Sequence, residues 1–323
     1  MSILLVLDVP PAIRTVYHQG LLDAFPDQHF DLAPTANDVD PFLANAEILV
    51  THGPYLRDRA AHMFANMPRL RFIQGVGVGV DNIVDVPTLR PEICVANIQG
   101  VHGPQMAEMA LMLMLTHARQ FPRSLANKSA HRWERWPARL LTGKTLGILG
   151  VGSIALATAQ RCAAMGMRVL GISSSVRTIE GFDKIFPLSA LPGIVGEFDY
   201  FLILTPYSAQ THHLVGASVL GAMKPDSYLL NLARGGVVDE AALLAALRAR
   251  QIDGAALDVF ETEPLPPDHP FWEIDNVMIT CHQGAVHDRL AQQNLPIIIE
   301  NLGHYLADDF AALRHVVRAG NLA

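Results

Sequence analysis

The chain has 323 residues, half of them hydrophobic and 17% charged, with 24 Lys and Arg against 31 Asp and Glu for a formal charge of −7. That length allows two domains, each with its own core. The acidic balance and the lack of a basic run exclude an extended nucleic-acid surface. Cys94, Cys162 and Cys281 have neither redox nor metal-ligand spacing, which fits a reducing compartment and a cytoplasmic protein.

Ile3–Leu7 is an apolar run broken by Asp8, with no basic residues before it, and reads as a first strand rather than a signal peptide. Strand-like runs at Ile48–Val50, Leu70–Gln74 and Ile93–Ala96 alternate with helical patterns up to about Asn97. This predicts a small α/β unit. After Gln74, glycines 75, 77 and 79 fall within five positions, ahead of Asp81-Asn82-Ile83. Such a loop is either a tight surface turn or a row of backbone amides facing a small anion.

Gly103-Pro104 opens a long helix through about Gln120, and its methionines (Met106, Met109, Met112, Met114) read as core or subunit interface. Its apolar stretch is too short to span a bilayer and contains Glu108, so no membrane partner is expected. A polar segment with Trp133 and Trp136 follows. From Lys144, an apolar strand runs into Gly150-Val-Gly152-Ser153-Ile154-Ala155 and an alanine-rich helix. Glycines there let the chain turn hard and let a pyrophosphate reach the backbone, while the small last residue keeps the helix close to the strand. Alone, such a turn could be merely a tight loop. Arg168–Ile172 supplies a second strand, and the position after it, about 20 residues past the turn, is where a cofactor ribose is read. Further strands at Tyr200–Leu204, Ser227–Leu232, Gly254–Asp258 and Val277–Thr280 complete a doubly wound parallel sheet, with ligand expected at its carboxyl ends. A helix is expected from Ala285 to Tyr305, and the tail beyond it returns to the first domain.

Three strand ends carry groups that make sense together. Asn231-Leu-Ala-Arg234-Gly235 places a guanidinium in a glycine-flanked turn, where its planar fork could hold a carboxylate. Asp258 and Glu263 lie just past another strand, and His282 past a third. Singly, these residues have ordinary roles: a surface ion pair, a turn cap, a structural histidine. Beside a dinucleotide turn, the combination suggests hydride transfer.

With these motifs in this order, the chain resembles the D-isomer-specific 2-hydroxyacid dehydrogenases over nearly its whole length. Carrying the resemblance are the glycine turn, Gly79-Val-Asp81-Asn-Ile83, Pro206 through Thr211, Asn231-x-x-Arg234-Gly235, Asp258-Val-Phe-x-x-Glu263-Pro264 and His282-x-Gly284. It implies a Rossmann nicotinamide domain, residues 100–285, inserted in a smaller flavodoxin-like α/β catalytic domain, residues 1–99 plus 286–323. It also implies a homodimer through the nicotinamide domain. By resemblance, Arg234 orients substrate, Glu263 supports the histidine and His282 donates the proton. Cofactor contacts are implied at Gly150, Gly152, Ser153, Ile154, Ser173, Ser174, Arg177, Thr205, Pro206, Thr211, Leu232 and Asp258. Substrate contacts are implied at His52, Gly53, Val78 and Gly79, as well as at Arg234 and His282.

Where the commonest family pattern has an acidic residue after the second strand, this chain has Ser173, then Ser174, Ser175, Val176 and Arg177. Hydroxyls and a guanidinium suit a 2′-phosphate, so NADP(H) is expected in preference to NAD(H), with tolerance of either left open. Cys281 replaces the proline usual before the histidine, which loosens the backbone there. His212, His213 and His287 match no metal-site spacing, and no metal is expected. The resulting expectation is an NADPH-preferring reductase of a small 2-oxo acid, of the glyoxylate or hydroxypyruvate kind. A phosphite-oxidising dehydrogenase and a nicotinamide-sensing corepressor-like binding protein stay open as alternatives.

Overall fold

The computed structural model describes residues 2–321. The chain packs as two units, one formed by residues up to Val101 with those from His287 onward, the other by His102–Val286.

In the first unit, strands β1 (Ser2–Val6), β2 (His29–Ala33), β3 (Ala46–Thr51), β4 (Phe72–Gly75) and β5 (Cys94–Ala96) form a parallel sheet in the order β5-β4-β3-β1-β2. Both faces are covered, which explains why β1 is apolar throughout instead of alternating. Ile3 and Leu5 join Tyr17, Leu21 and Ile298 on one face, and Leu4 and Val6 join Met63 and Phe64 on the other. The tail does return to this unit. Its helix Leu290–Leu306 supplies Ile298 and Leu302 to the core, and Val316–Arg318 pairs antiparallel with β5. That helix starts at Leu290, not at Ala285. Residues before it fold as turns, where the His287 ring accepts the Arg289 amide at 3.2 Å and competes with a helical hydrogen bond.

The second unit holds β6 (Thr145–Leu149), β7 (Arg168–Ser173), β8 (Lys184–Pro187), β9 (Tyr200–Ile203), β10 (Tyr228–Asn231), β11 (Gly254–Leu257) and β12 (Val277–Ile279). They form an all-parallel doubly wound sheet in the order β12-β11-β10-β9-β6-β7-β8. The strand order reverses between β6 and β9, and at such a switch point a crevice opens at the carboxyl ends. Sequence patterning had not indicated β2, β8 or Val316–Arg318, which are short, partly exposed strands at the sheet margins. Nor had it indicated the helix Phe121–Ser129. That helix is separated from Gly103–Ala118 by Gln120 in a left-handed conformation and restarts on Pro122. Among the described residues no helix is long and apolar enough to cross a membrane.

Candidate active site

At the end of β6 the chain turns through Gly150, whose φ of +96° is one that side chains rarely adopt. A methyl group there would lie 2.6 Å from the Thr205 amide nitrogen after β9, so only glycine lets the two strand ends come this close. Gly152 then caps the helix Ser153–Ala164 without any side-chain hydrogen bond, and nothing lies within 4 Å of where its Cβ would stand. The first amides of the helix, at Ser153 and Ile154, are thus open to an anion. Ala155 is buried in the cluster that includes Leu146 and Ile148, which draws the helix onto the strand. An open glycine cradle at an uncapped helix start fits a dinucleotide pyrophosphate.

Beyond β7, Ser173 and Ser174 lead into an exposed loop, where Ser173 Oγ accepts the Ser175 amide at 3.2 Å. Arg177 reaches back from that loop to donate to the Val151 carbonyl at 3.2 Å, so its guanidinium stands beside the glycine turn. After Thr205 and the exposed Pro206, Thr211 is buried. Its hydroxyl donates to the Pro206 carbonyl and accepts the Ser208 amide, each at 2.8 Å, which shapes the loop from within. Leu232 is buried at the end of β10.

Three sequence-proposed residues lie on loops that touch one another. Asn231 holds the turn after β10 by donating to the Arg234 carbonyl at 3.0 Å and accepting the Ala233 amide at 3.2 Å. At Gly235 a methyl group would sit 1.9 Å from the Phe260 carbonyl carbon. The Arg234 turn can therefore pack directly on the loop that carries Glu263. One Glu263 oxygen accepts the Phe260 amide at 3.0 Å, and the other is 2.7 Å from His282 Nδ1. Burial pulls the Glu263 carboxyl upward, but hydrogen bonding and charge from His282, the Phe260 amide and the Arg234 charge outweigh it and hold the group below its ordinary range. An ionised Glu263 accepts, so Nδ1 carries the proton and Nε2 is the free end of the ring.

His282 has a φ of +53°, an unusual conformation for a residue other than glycine. Asp258, only 2% exposed, holds it there. Its carbonyl accepts the His282 amide at 2.7 Å. Its carboxylate takes the Thr280 hydroxyl at 2.6 Å and the Gln283 and Gly284 amides at 2.9 Å each. Restraint that the missing proline does not supply is supplied here by Asp258. Gly284 is required by the same packing, since a methyl there would meet Met106 Sδ at 2.8 Å.

The remaining sequence-proposed residues belong to the first unit. His52 packs edge-on against Tyr55 at 4.8 Å, and its Nε2 would be 2.7 Å from a methyl on Gly77. A methyl on Gly53 would strike the Asp81 carbonyl at 1.9 Å. Gly77 is buried, while Val78 is exposed and Gly79 half-buried.

The profile of the D-isomer specific 2-hydroxyacid dehydrogenase NAD binding domain matches residues 111–284. A D-isomer specific 2-hydroxyacid dehydrogenase family protein from Aeromonas salmonicida superposes with a TM-score of 0.87 at 31% identity, covering 98% of this chain and 99% of that one. This chain belongs to the D-isomer specific 2-hydroxyacid dehydrogenase family. Another similar solved structure is the NADPH-dependent glyoxylate/hydroxypyruvate reductase from Sinorhizobium meliloti, in complex with NADP and sulfate. It matches with a TM-score of 0.82 at 26% identity over 100% of this chain and 99% of that one. D-3-phosphoglycerate dehydrogenase from Methanocaldococcus jannaschii is 34% identical over 260 residues, which is 79% of this chain but 48% of that protein. This family member thus spans about half the length of that curated relative. Sequence reasoning had offered Asp258 two roles, a nicotinamide contact or a turn cap, and missed how completely its carboxylate organises the histidine loop of this family member.

Proposed function

We propose that the chain is an NADPH-preferring reductase that converts a small 2-oxo acid, of the glyoxylate or hydroxypyruvate kind, to the D-2-hydroxy acid. The observation that carries the reading is the 2.7 Å pair of His282 and Glu263, on a loop packed against the Arg234 turn. A reduced nicotinamide supplies hydride-transfer chemistry when bound. The chain's own residues manage charge and the proton. Held through Nδ1 by Glu263, His282 donates from Nε2 to the carbonyl oxygen as negative charge develops there. Arg234 pairs with the substrate carboxylate and polarises the carbonyl. His52, Gly53, Val78 and Gly79 are substrate-binding residues in this proposal, with the Val78 and Gly79 amides taking carboxylate oxygens.

Cofactor binding is assigned to Gly150, Gly152, Ser153 and Ile154 for the pyrophosphate, and to Thr205, Pro206, Thr211, Leu232 and Asp258 along the crevice. Ser173, Ser174 and Arg177 take the 2′-phosphate. The NADP preference is supported by the lack of a carboxylate after β7, by the reach of Arg177 to Val151 and by the NADP complex of the Sinorhizobium reductase. A homodimer through the nicotinamide unit is supported by a run of exposed apolar side chains at Met112, Leu115, Phe121, Leu125 and Leu140, with Trp133 94% exposed. A cytoplasmic location belongs to the same reading.

The test is loss of reduced-nicotinamide absorbance with a panel of 2-oxo acids, run with NADPH and with NADH. Steady turnover, faster with NADPH and abolished in His282→Ala while nucleotide still binds, is the expected result. Nucleotide binding with no turnover would refute the reductase and favour a sensor.

A further inference from the structure

Four successive carbonyls of the Gly75–Val78 loop are each tied to the scaffold of the first unit. The Gly75 carbonyl accepts from Gln74 Nε2 at 2.8 Å and the Val76 carbonyl from Asn294 Nδ2 at 2.9 Å. The Gly77 carbonyl accepts from the Ile98 amide at 3.1 Å, and the Val78 carbonyl from Asn97 Nδ2 at 2.7 Å. Because a peptide unit is planar and trans, a carbonyl pinned on one side aims the next residue's N–H to the other side. Asn294 therefore aims the Gly77 amide, Ile98 the Val78 amide and Asn97 the Gly79 amide. Among the described residues these three amides have no acceptor, whereas the Val76 amide just before them donates to the Thr51 carbonyl at 2.8 Å. Three consecutive free N–H groups on a backbone held from behind form an anion cradle that needs little reorganisation on binding.

The two asparagines are built for this grip. Asn97 Oδ1 accepts from Gln99 Nε2 at 3.1 Å, which fixes the amide so that its nitrogen faces Val78. Asn294 is fully buried on the helix Leu290–Leu306, beside the core residues Leu295 and Ile298. Its Nδ2 also reaches the Tyr17 hydroxyl at 3.1 Å, yet its Oδ1 has no hydrogen-bond partner. A buried unpaired amide oxygen is destabilising, whereas the Nδ2 donor satisfies the buried Val76 carbonyl that an apolar side chain would leave unpaired. The hold on the Val76 carbonyl is what the asparagine supplies.

We propose that Asn97 and Asn294 are positioning residues for recognition of the substrate carboxylate, acting through the amides of Gly77, Val78 and Gly79. The inference rests on the 2-oxo acid reductase reading and adds to it the side chains that aim those amides. Neither asparagine needs to touch substrate.

The test uses Asn97→Asp, which keeps shape but replaces the donor, and Asn294→Leu, which keeps volume in an apolar setting. For each folded variant, KM is measured for glyoxylate and for NADPH, and kcat/KM is compared between glyoxylate and methylglyoxal, an aldehyde with no carboxylate. Expected is a rise of about tenfold in glyoxylate KM, the scale of one hydrogen bond to a charged group, with NADPH KM within about twofold. The loss in kcat/KM on glyoxylate should exceed that on methylglyoxal by a similar factor. Equal losses on both substrates, or none on either, overturn the proposal. Should Asn294→Leu fail to fold, Asn97→Asp decides alone. If the wild type reduces no 2-oxo acid, the reductase reading fails and calorimetric titration with oxalate tests the cradle by itself. Weaker oxalate binding in the variants supports it, and equal affinity or no binding to the wild type overturns it.

Discussion

Replacing Asp258 by asparagine isolates the contribution of one carboxylate to the placement of His282. Oδ1 accepts two donors, the Thr280 hydroxyl and the Gln283 amide, and Oδ2 accepts the Gly284 amide. An asparagine can offer an oxygen at only one of these positions. In the better orientation it keeps the two donors at Oδ1 and turns an NH2 toward the Gly284 N–H, so one hydrogen bond to a charged group becomes a donor facing a donor. Such a bond contributes about 1.5–3 kcal/mol. Weakening of the other two, from charged to neutral acceptors, brings the loss in the loop to about 2–3 kcal/mol after allowing for relief of the buried charge. The loop holds His282 at a φ of +53°, so that loss should appear as a smaller fraction of molecules with the ring in place. At 1.36 kcal/mol per tenfold, kcat/KM for the 2-oxo acid should fall about 30- to 150-fold. Steady-state kinetics and NADPH affinity by fluorescence quenching are measured together. A wild-type rate in Asp258→Asn, or a loss accounted for wholly by weaker NADPH binding, would refute the argument that this carboxylate acts by holding the histidine loop.

Gly284→Ala places a methyl 2.8 Å from Met106 Sδ and 3.1 Å from Asp258 Oδ2, and should lower both melting temperature and turnover. An unchanged melting curve with full activity would show that the loop accommodates the methyl. Arg177→Ala should raise KM for NADPH by tenfold or more and leave KM for NADH nearly unchanged, about the effect of losing one charge-assisted contact to phosphate. Parallel changes with both cofactors would remove Arg177 from the 2′-phosphate site. For Glu263 the sign follows from a folded-state pKa below the unfolded one. Its contribution to stability is fully present above the unfolded value, about 4.3, and is lost as pH falls through the lowered folded value. Denaturant melts should therefore separate wild type from Glu263→Gln at pH 7 and converge in strong acid; a gap that widens on acidification would contradict the pairing.

Much of the architecture was readable from the amino-acid order because it depends on local rules. Apolar runs of strand length marked ten sheet strands, and glycines 150 and 152 marked the turn, where the φ of +96° at Gly150 is one that side chains rarely adopt. Arg234, Glu263 and His282 could be proposed from the sequence because each follows a strand, and parallel strands bring their carboxyl ends to one edge. β2, β8 and Val316–Arg318 were not readable, since a short, half-exposed marginal strand has the composition of a loop and becomes a strand only through its neighbour. The left-handed backbone of His282 was equally hidden, because the groups that hold it come from Asp258, on a separate strand end. Asn294 lies 218 residues from the Val76 carbonyl that it grips. The sequence by itself determined which segments turn, stack and carry chemical groups. Only the tertiary structure decided which hydrogen-bond donors and acceptors meet, because pairs so far apart in the chain are brought together by packing, and no local pattern encodes that distance.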